Sequence, residues 1–341
     1  MKNTVQPLVS VIIPLYNRRE TIEECIDSIF AQTCQDFEIL CIDDGSTDDG
    51  PEFCKEKYGG DVRFHLVQQS NQGTWAARNH GLNLAQGTYV TFLDHDDFLG
   101  TNAFERMTTL AEETQADVVA SMGRYLLRDG DNRLVPLLNN PAHASHAYVL
   151  SDTMEGRLAY YEQPVSEAVW NKFFRRSFLE NSHIRFQPVR YRDDCIFVLS
   201  CLFHAKTFVC TPFLYYVYRI SYGSALRAHK TLDDVKKVIE TMLQVLHGVD
   251  WDLSDIPYFR AHPEAMRIVK EKQLDELLET MRHWGFYPTP EEYVDVMRET
   301  IFQTFTSLEL SAEESAFLLT YLFDRFNANR AIVERVKGKG D

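Results

Sequence analysis

Residues 9–15 (VSVIIPL) form a short, β-branched, almost unbroken apolar run, which predicts a buried strand. The period then changes. Ile22, Cys25, Ile26, Ile29 and Phe30 recur at helical spacing, so 18–32 is expected to carry a helix with one buried face. Residues 37–43 (FEILCID) predict a second strand, and the polar tail Asp43-Asp44-Gly45-Ser46-Thr47-Asp48 predicts a turn and a helix start. A weaker strand is expected at 63–67, a helix at 74–86 stopped by Gly87, and a strand at 89–94. Helix 102–115 and strand 117–121 complete the series. Strands alternating with helices predict βαβ units and a mainly parallel sheet.

The pattern loosens afterwards. Residues 128–147 are rich in Asn, Asp, Gly, Pro, Ala and His and predict a loop or hairpin excursion that would serve as a lid. Helices are expected near 152–161 and 194–204, with a strand pair inside 207–219. From 231 onward the period is helical, most clearly over 264–284, 290–306 and 312–336. Pro288 and Pro290 punctuate the first two, and Ser311 with Glu314 makes a capping box for the last.

Composition narrows the class. The 341 residues, 45% hydrophobic and 25% charged, suit a soluble protein of roughly two domains. A formal net charge of -15 argues against a general nucleic-acid binder. The seven cysteines are odd in number, form no Cys-X-X-Cys pair and mostly sit in apolar patterns, so buried free thiols in a reducing compartment are expected. No signal peptide and no 18-residue apolar stretch are evident, which predicts a cytoplasmic protein with peripheral membrane attachment left open.

The chemistry concentrates in Tyr89–Leu99, where a hydrophobic strand delivers Asp94, Asp96 and Asp97 to a sheet edge. Hard cations take oxygen ligands, and one or two carboxylates plus substrate phosphates is a common arrangement. Ligands of open α/β sheets bind beyond the carboxyl ends of the strands. A metal–diphosphate site is therefore expected, with Asp96 as direct ligand to Mn²⁺ or Mg²⁺ and Asp94 as ligand or ribose or water contact. Period-2 geometry would turn His95 to the other side of the strand.

Four segments in order, VSVIIPLYN (9–17), CIDDGSTD (41–48), NQGTWAARNHGL (71–82) and GTYVTFLDHDD (87–97), resemble the successive motifs of family 2 glycosyltransferases. With two further matches the resemblance covers roughly residues 7–226. It implies the GT-A fold, an α/β architecture with a mainly parallel sheet, here followed by a helical C-terminal extension. The implied division is a catalytic domain over 1–226, split into a nucleotide-binding half (1–100) and an acceptor-side half (101–226), and a helical subdomain over 227–341. The implied reaction is metal-dependent, inverting transfer from a UDP-sugar to a hydroxyl of a glycan or lipid-linked acceptor.

The resemblance also assigns residues. Pro14, Tyr16 and Asn17 would line the base pocket, and Asp44, beside Asp43, would accept the uracil imide N–H, although helix capping explains part of this acidic run. Arg78 and Asn79 would lie beside the nucleotide, with Asp94 and His95. Tyr191–Phe197 fits the family's acidic pair, with Asp194 as general base and Asp193 beside it; acids at a helix N-terminus are also favoured by the dipole alone. Trp170, Asn171 and Lys172 would wall the acceptor side, and Arg219 and Ser224 would approach the diphosphate.

Other enzyme classes lack their signatures. No Gly-X-Gly-X-X-Gly follows a strand, no Walker loop or Gly-X-Ser-X-Gly elbow occurs, and Leu15–Glu20 is not the Gly-rich loop of a nucleotidyltransferase. The alternative from another class is a catalytically inactive sugar-nucleotide-binding or scaffold protein of the same fold. The helices after 230 suit dimerisation or acceptor docking, but the stripe Phe302, Phe305, Phe317, Leu318, Tyr321, Leu322, Phe326 reads first as core.

Overall fold

The computed structural model describes residues 6–128, 133–139, 145–189, 192–220, 232–283, 311, 314–318, 320 and 321. The chain divides into two compact units, one of residues 1–222 with 247–265 and the other of 223–246 with 266–341.

The first unit begins with β1 (Val9–Leu15), α1 (Ile22–Phe30), β2 (Phe37–Asp43), α2 (Gly50–Tyr58), β3 (Phe64–Gln68), α3 (Thr74–Leu84) and β4 (Tyr89–Phe92). Every residue of β1 and β2 is buried, as expected for strands covered on both faces. All three neighbouring pairs among β3, β2, β1 and β4 are parallel. This brings the carboxyl ends of β1, β2 and β4 to one edge. The helix α3 lies close on β1 because residue 81 is glycine: a Cβ there would come 2.5 Å from Ile12 Cγ2. That approach carries Arg78 and Asn79 toward the same edge.

The chain continues through β5 (Phe98–Leu99), α4 (Ala103–Thr114), β6 (Val118–Ser121), β7 (Gly123–Arg128), β8 (Val135–Leu138), β9 (Tyr148–Val149) and α5 (Met154–Tyr161). Then come β10 (Lys172–Arg175), α6 (Arg176–Asn181), α7 (Asp193–His204), β11 (Phe208–Thr211) and β12 (Tyr216–Ile220). The large sheet has the order β3-β2-β1-β4-β10-β6-β11-β9, and a second sheet has the order β5-β12-β7-β8.

The β7–β8 hairpin opens the loop or hairpin excursion expected over 128–147. Two features differ from the sequence reading. The strand β10 is antiparallel to both β4 and β6, so the mainly parallel sheet takes in antiparallel pairs; four residues without alternation gave no strand signal. The two strands within 207–219 exist but are not partners, because β11 pairs with β6 and β12 with β5 and β7.

Helices α8 (Leu232–Leu253), α9 (Pro257–Ala261) and α10 (Pro263–His283) follow. No described helix is long and apolar enough to cross a membrane. In the second unit Tyr321 Oη donates to Asp275 Oδ1 at 2.7 Å, and Leu318 and Tyr321 are buried. Ser311 and Glu314 form the expected capping box, with Glu314 N donating to Ser311 Oγ at 3.2 Å and Ser311 N donating to Glu314 Oε2 at 2.8 Å. The expected helix at 290–306 and most of that at 312–336 lie outside the described residues.

One half-buried acid in the first unit makes stability depend on pH. Asp252 accepts from Gln187 Nε2 at 2.7 Å, while its Oδ2 is shielded from solvent without a hydrogen-bond partner among the described residues. Burial pushes the carboxyl up to about 7. A carboxyl raised in the fold holds its proton there but not in the unfolded chain. Its contribution is complete below about pH 4 and is lost as pH rises to about 7. Asp252→Asn, neutral throughout, should therefore gain melting temperature relative to wild type at pH 8 and not at pH 4. At roughly 1.4 kcal/mol per pKa unit, discounted for partial exposure, the gain should be about 1–2 kcal/mol. Equal melting differences at both pH values would contradict this.

Candidate active site

The site is built on the sheet edge where β1, β2 and β4 end. The Tyr16 ring, directly after β1, is 45% exposed, while Pro14 stays buried in register with Ile42. Asn17 has a positive φ of 52° and turns its side chain to the neighbouring loop. Its Oδ1 accepts from Thr47 N at 2.7 Å and Asp48 N at 3.3 Å, and its N–H donates to Ser46 Oγ at 3.0 Å. Asn17 therefore ties the loop after β1 to the loop after β2.

The two acids ending β2 are both buried and differ in their partners. Asp43 closes its own turn, accepting from Ser46 N at 2.9 Å and from Gln68 Nε2 at 3.2 Å. Asp44 accepts from Gln69 Nε2 at 2.8 Å, Gln72 N at 2.9 Å and Gly73 N at 2.8 Å. Gly73 has φ of 97°, a left-handed conformation that favours glycine, and it aims its N–H at Asp44 just before α3 begins. A carboxylate offers about four acceptor positions, so Asp44 retains room for one more donor.

Arg78, on α3, is the hub. It is 5% exposed; its Nη1 donates to Asp193 Oδ2 at 2.9 Å and its Nη2 to Asp94 Oδ1 at 3.0 Å. One guanidinium thus joins the acidic turn after β4 to the acidic pair opening α7, residues 115 apart for the Arg78–Asp193 bond. Burial opposes its charge, but Asp193 and Asp94 outweigh it and hold the arginine above its ordinary pKa. Burial pushes Asp193 above the usual carboxylate range; Arg78 opposes the rise and Asp194 adds to it. Asn79 instead clamps backbone, exchanging bonds of 2.8 and 2.9 Å with Phe186 O and N.

The strand β4 ends at Phe92, and residues 94–97 form a turn closed by Asp97 N donating to Asp94 O at 3.0 Å. Strand alternation does not reach His95, whose Nδ1 lies 3.8 Å from Asp96 Oδ1 and makes no hydrogen bond to a described residue. Burial lowers its pKa, against the pull of Asp96 and Asp94. Asp94 and Asp96 are 28% and 31% exposed at the side chain. Arg78 uses one Asp94 oxygen, and the Asp96 carboxylate accepts no hydrogen bond from a described residue. Among the described residues no group of three His, Cys, Asp or Glu side chains could hold a metal. Two partly exposed acids with unspent oxygens fit a cation whose remaining ligands are phosphate and water.

Asp194 stands in the first turn of α7, its Oδ1 accepting from Cys195 N at 2.9 Å. Arg192 sets up that turn with φ of 66° and a buried ion pair to Glu167. Arg219, on β12, reaches the acidic turn: its Nε donates to Asp96 O at 3.1 Å, its N–H to Asp97 Oδ1 at 2.7 Å, and its Nη2 pairs with Glu24. Trp170 stacks on Tyr216 with ring centroids 4.2 Å apart. Asn171 and Lys172 are 0% and 2% exposed, so they do not present the acceptor wall expected of them. Lys172 Nζ donates to Ser166 O, Ala168 O and Asn171 Oδ1, and Asn171 Nδ2 to Ser121 O, which makes both of them internal struts. Burial drops the Lys172 pKa to about 8. Ser224 lies outside the described residues.

The family model for Glycosyl transferase family 2 matches residues 10–183, just over half the chain. The chain belongs to this family. It is 34% identical over 215 residues to the uncharacterized glycosyltransferase EpsJ of Bacillus subtilis, covering 62% of this chain and 61% of EpsJ. The aligned part thus spans about three-fifths of that relative. Among solved structures, S. aureus TarS 1–349 in complex with UDP-GlcNAc aligns over 93% of this chain and 80% of its own, with TM-score 0.60 and 21% identity. The mannosyltransferase PcManGT from Pyrobaculum calidifontis, in complex with GDP-Man and Mn²⁺, aligns over 95% and 88%, with TM-score 0.52 and 17% identity. These likenesses give the GT-A type fold.

Within this family 2 member the site contains residues that the sequence left without a role. Asp97 is 2% exposed and accepts from Tyr216 Oη at 2.5 Å as well as from Arg219 N, so it fastens β12 to the acidic turn. Burial, then Asp96 and Asp94, push its pKa well above the carboxylate range. Glu24 and Glu167 were equally hidden, because their partners lie 195 and 25 residues away. Only the tripled acid Asp94, Asp96, Asp97 gave any advance signal.

Proposed function

We propose that this family 2 glycosyltransferase transfers a sugar from a UDP-sugar to a hydroxyl of a glycan or lipid-linked acceptor, with metal dependence and inversion at the anomeric carbon. The observation that carries this reading is the Arg78 bridge, which holds Asp94 and Asp193 on one guanidinium. It brings the acids suited to a metal–diphosphate and the acids suited to proton removal into one site. The UDP-GlcNAc complex of TarS and the Mn²⁺ complex of PcManGT support the donor type and the metal by analogy.

In this reading Pro14 and Tyr16 line the base, and Asp44 takes the uracil imide N–H at its remaining acceptor position. Asp94 and Asp96 would hold Mn²⁺ or Mg²⁺, which would supply charge neutralisation for the leaving diphosphate. Asp194 removes the acceptor proton as the hydroxyl attacks. Arg219 stands beside the acidic turn and stabilises the departing phosphate, once its pair with the exposed Glu24 opens. The product would be a bacterial surface polysaccharide or similar glycoconjugate, made in the cytoplasm with peripheral contact at the inner membrane face. The helices after 227 would serve dimerisation or acceptor docking.

Calorimetric titration of UDP with and without Mn²⁺ tests the site. Wild type should bind UDP more tightly with metal, and Asp96→Ala should lose that dependence and bind at least tenfold more weakly. Metal-independent UDP binding, unchanged in the variant, would remove the metal from the reading. No UDP binding at all would bring forward the inactive scaffold.

A further inference from the structure

Two consecutive residues of α3 reach the surroundings of Asp194 in different ways. Arg78 takes the side chain of Asp193. Asn79 takes the backbone of Phe186, its Nδ2 donating to Phe186 O at 2.8 Å and its Oδ1 accepting from Phe186 N at 2.9 Å. Phe186 stands in no helix or strand, so its N–H and C=O have no ladder partner. Buried backbone groups are almost always paired. A primary amide carries a donor and an acceptor side by side, so one side chain does for Phe186 what a neighbouring strand would.

What this clamp fixes is a ring packed against α7. Phe186 is 2% exposed and stacks on Phe197 with ring centroids 4.0 Å apart and planes 2° apart. Phe197 follows Asp194 by three residues, which makes the two neighbours on the helix surface. Phe92, at the end of β4, packs edge-on against Phe186 and Phe197 at 5.1 and 5.8 Å. The next residue, Gln187, donates to Asp252 of α8 at 2.7 Å. Gly248 brings α8 close to α7, since a Cβ there would come 3.1 Å from Ile196 Cδ1. Residues 186 and 187 are thus gripped from α3 and from α8, and the start of α7 rests on Phe186. Close-packed interiors transmit displacement, so a shift of Phe186 would carry Phe197 and the first turn of α7 with it.

We propose that Asn79 is a positioning residue for the base. By holding the Phe186 backbone it sets where α7 presents Asp194 to the acceptor hydroxyl, and it acts on turnover and not on nucleotide affinity. This rests on the reading of the chain as a UDP-sugar transferase with Asp194 as base. Arg78 does not substitute for it, because the guanidinium fixes Asp193, while Asp194 accepts only from Cys195 among the described residues.

The test compares the full chain with Asn79→Asp and Asn79→Ala. Aspartate keeps the size of the side chain and an acceptor for Phe186 N, and removes the donor to Phe186 O. UDP affinity with Mn²⁺, by calorimetry, is set against the single-turnover rate of UDP release from UDP-glucose, UDP-galactose or UDP-GlcNAc with water as acceptor. Hydrogen exchange, by mass spectrometry, is followed over 193–199 in α7 and over 39–43 in β2. In Asn79→Asp the rate should fall by about 10–10²-fold, the cost of a reacting group displaced by about 1 Å, with UDP affinity within about twofold of wild type. Exchange over 193–199 should quicken by about tenfold or more while that over 39–43 stays unchanged. Asn79→Ala, which leaves both groups of Phe186 unpaired, should show the larger effect. Weaker UDP binding at an unchanged rate would make Asn79 a nucleotide contact and overturn the proposal. Rate and affinity falling together, with faster exchange over 39–43 as well, would reduce it to general packing and also overturn it. So would an unchanged rate with unchanged exchange over 193–199. Failure of wild type to bind UDP, or to release it from any of the three donors, would overturn the transferase reading itself, and exchange would still report whether Asn79 holds α7.

Discussion

Asp194→Asn is expected to lower sugar transfer by about 10²–10⁴-fold, the usual contribution of a positioned general base, with UDP affinity within twofold of wild type. Asparagine keeps the shape of the side chain, and its Oδ1 can still accept from Cys195 N, so α7 should start as before. What is lost is an oxygen basic enough to take a proton from the acceptor hydroxyl. Asp193→Asn discriminates between the two acids. Asp193 is committed to Arg78 at 2.9 Å and is less exposed than Asp194, so its amide variant should lose stability together with activity. Full turnover in Asp194→Asn, with Asp193→Asn folded but inactive, would move the base to Asp193. A single-turnover measurement at saturating donor, paired with a UDP titration, separates the chemical step from binding.

The elements that sequence made legible are those whose burial is written in local, contiguous residues. The strands β1 and β2 were readable to the residue because both faces are covered, which writes an unbroken apolar run. The helix α1 was readable because Ile22, Cys25, Ile26 and Ile29 all turn inward. The acidic turn was readable because a strand must end where three acids begin. What stayed hidden depends on pairs far apart in the chain. The strand β10 gains its place only between β4 and β6, and nothing in Lys172–Arg175 announces antiparallel pairing. Asn171 and Lys172 were disguised as well: their polar heads looked outward in sequence, yet Lys172 satisfies the carbonyls of Ser166 and Ala168, and Asn171 donates to Ser121 O and Ser166 Oγ. Arg78 was expected beside the nucleotide, but its Asp193 partner is 115 residues distant, and only the fold reveals it as a bridge.

That bridge carries the second large effect. Arg78→Met should destabilise the protein by about 3–5 kcal/mol, because removing one partner strands buried carboxylates without compensation. In a unit of this size that corresponds to a fall in melting temperature of about 10 °C. The stranded charge is chiefly that of Asp193, which burial already drives toward the protonated form. Without the guanidinium its pKa should rise further. A carboxyl raised in the fold contributes fully at low pH and loses that contribution as pH rises, so the deficit of Arg78→Met should be larger at pH 8 than at pH 5. Adding Asp193→Asn to Arg78→Met should recover part of the lost stability, since the buried charge is then gone, while transfer stays abolished. Arg78→Lys should be intermediate in melting and almost inactive, because a point charge cannot hold Asp94 and Asp193 together in the fork geometry of a guanidinium. If Arg78→Met melted within a degree of wild type at both pH values, the two acids would not depend on this bridge, and the coupling of the metal turn to the base through Arg78 would fall with it.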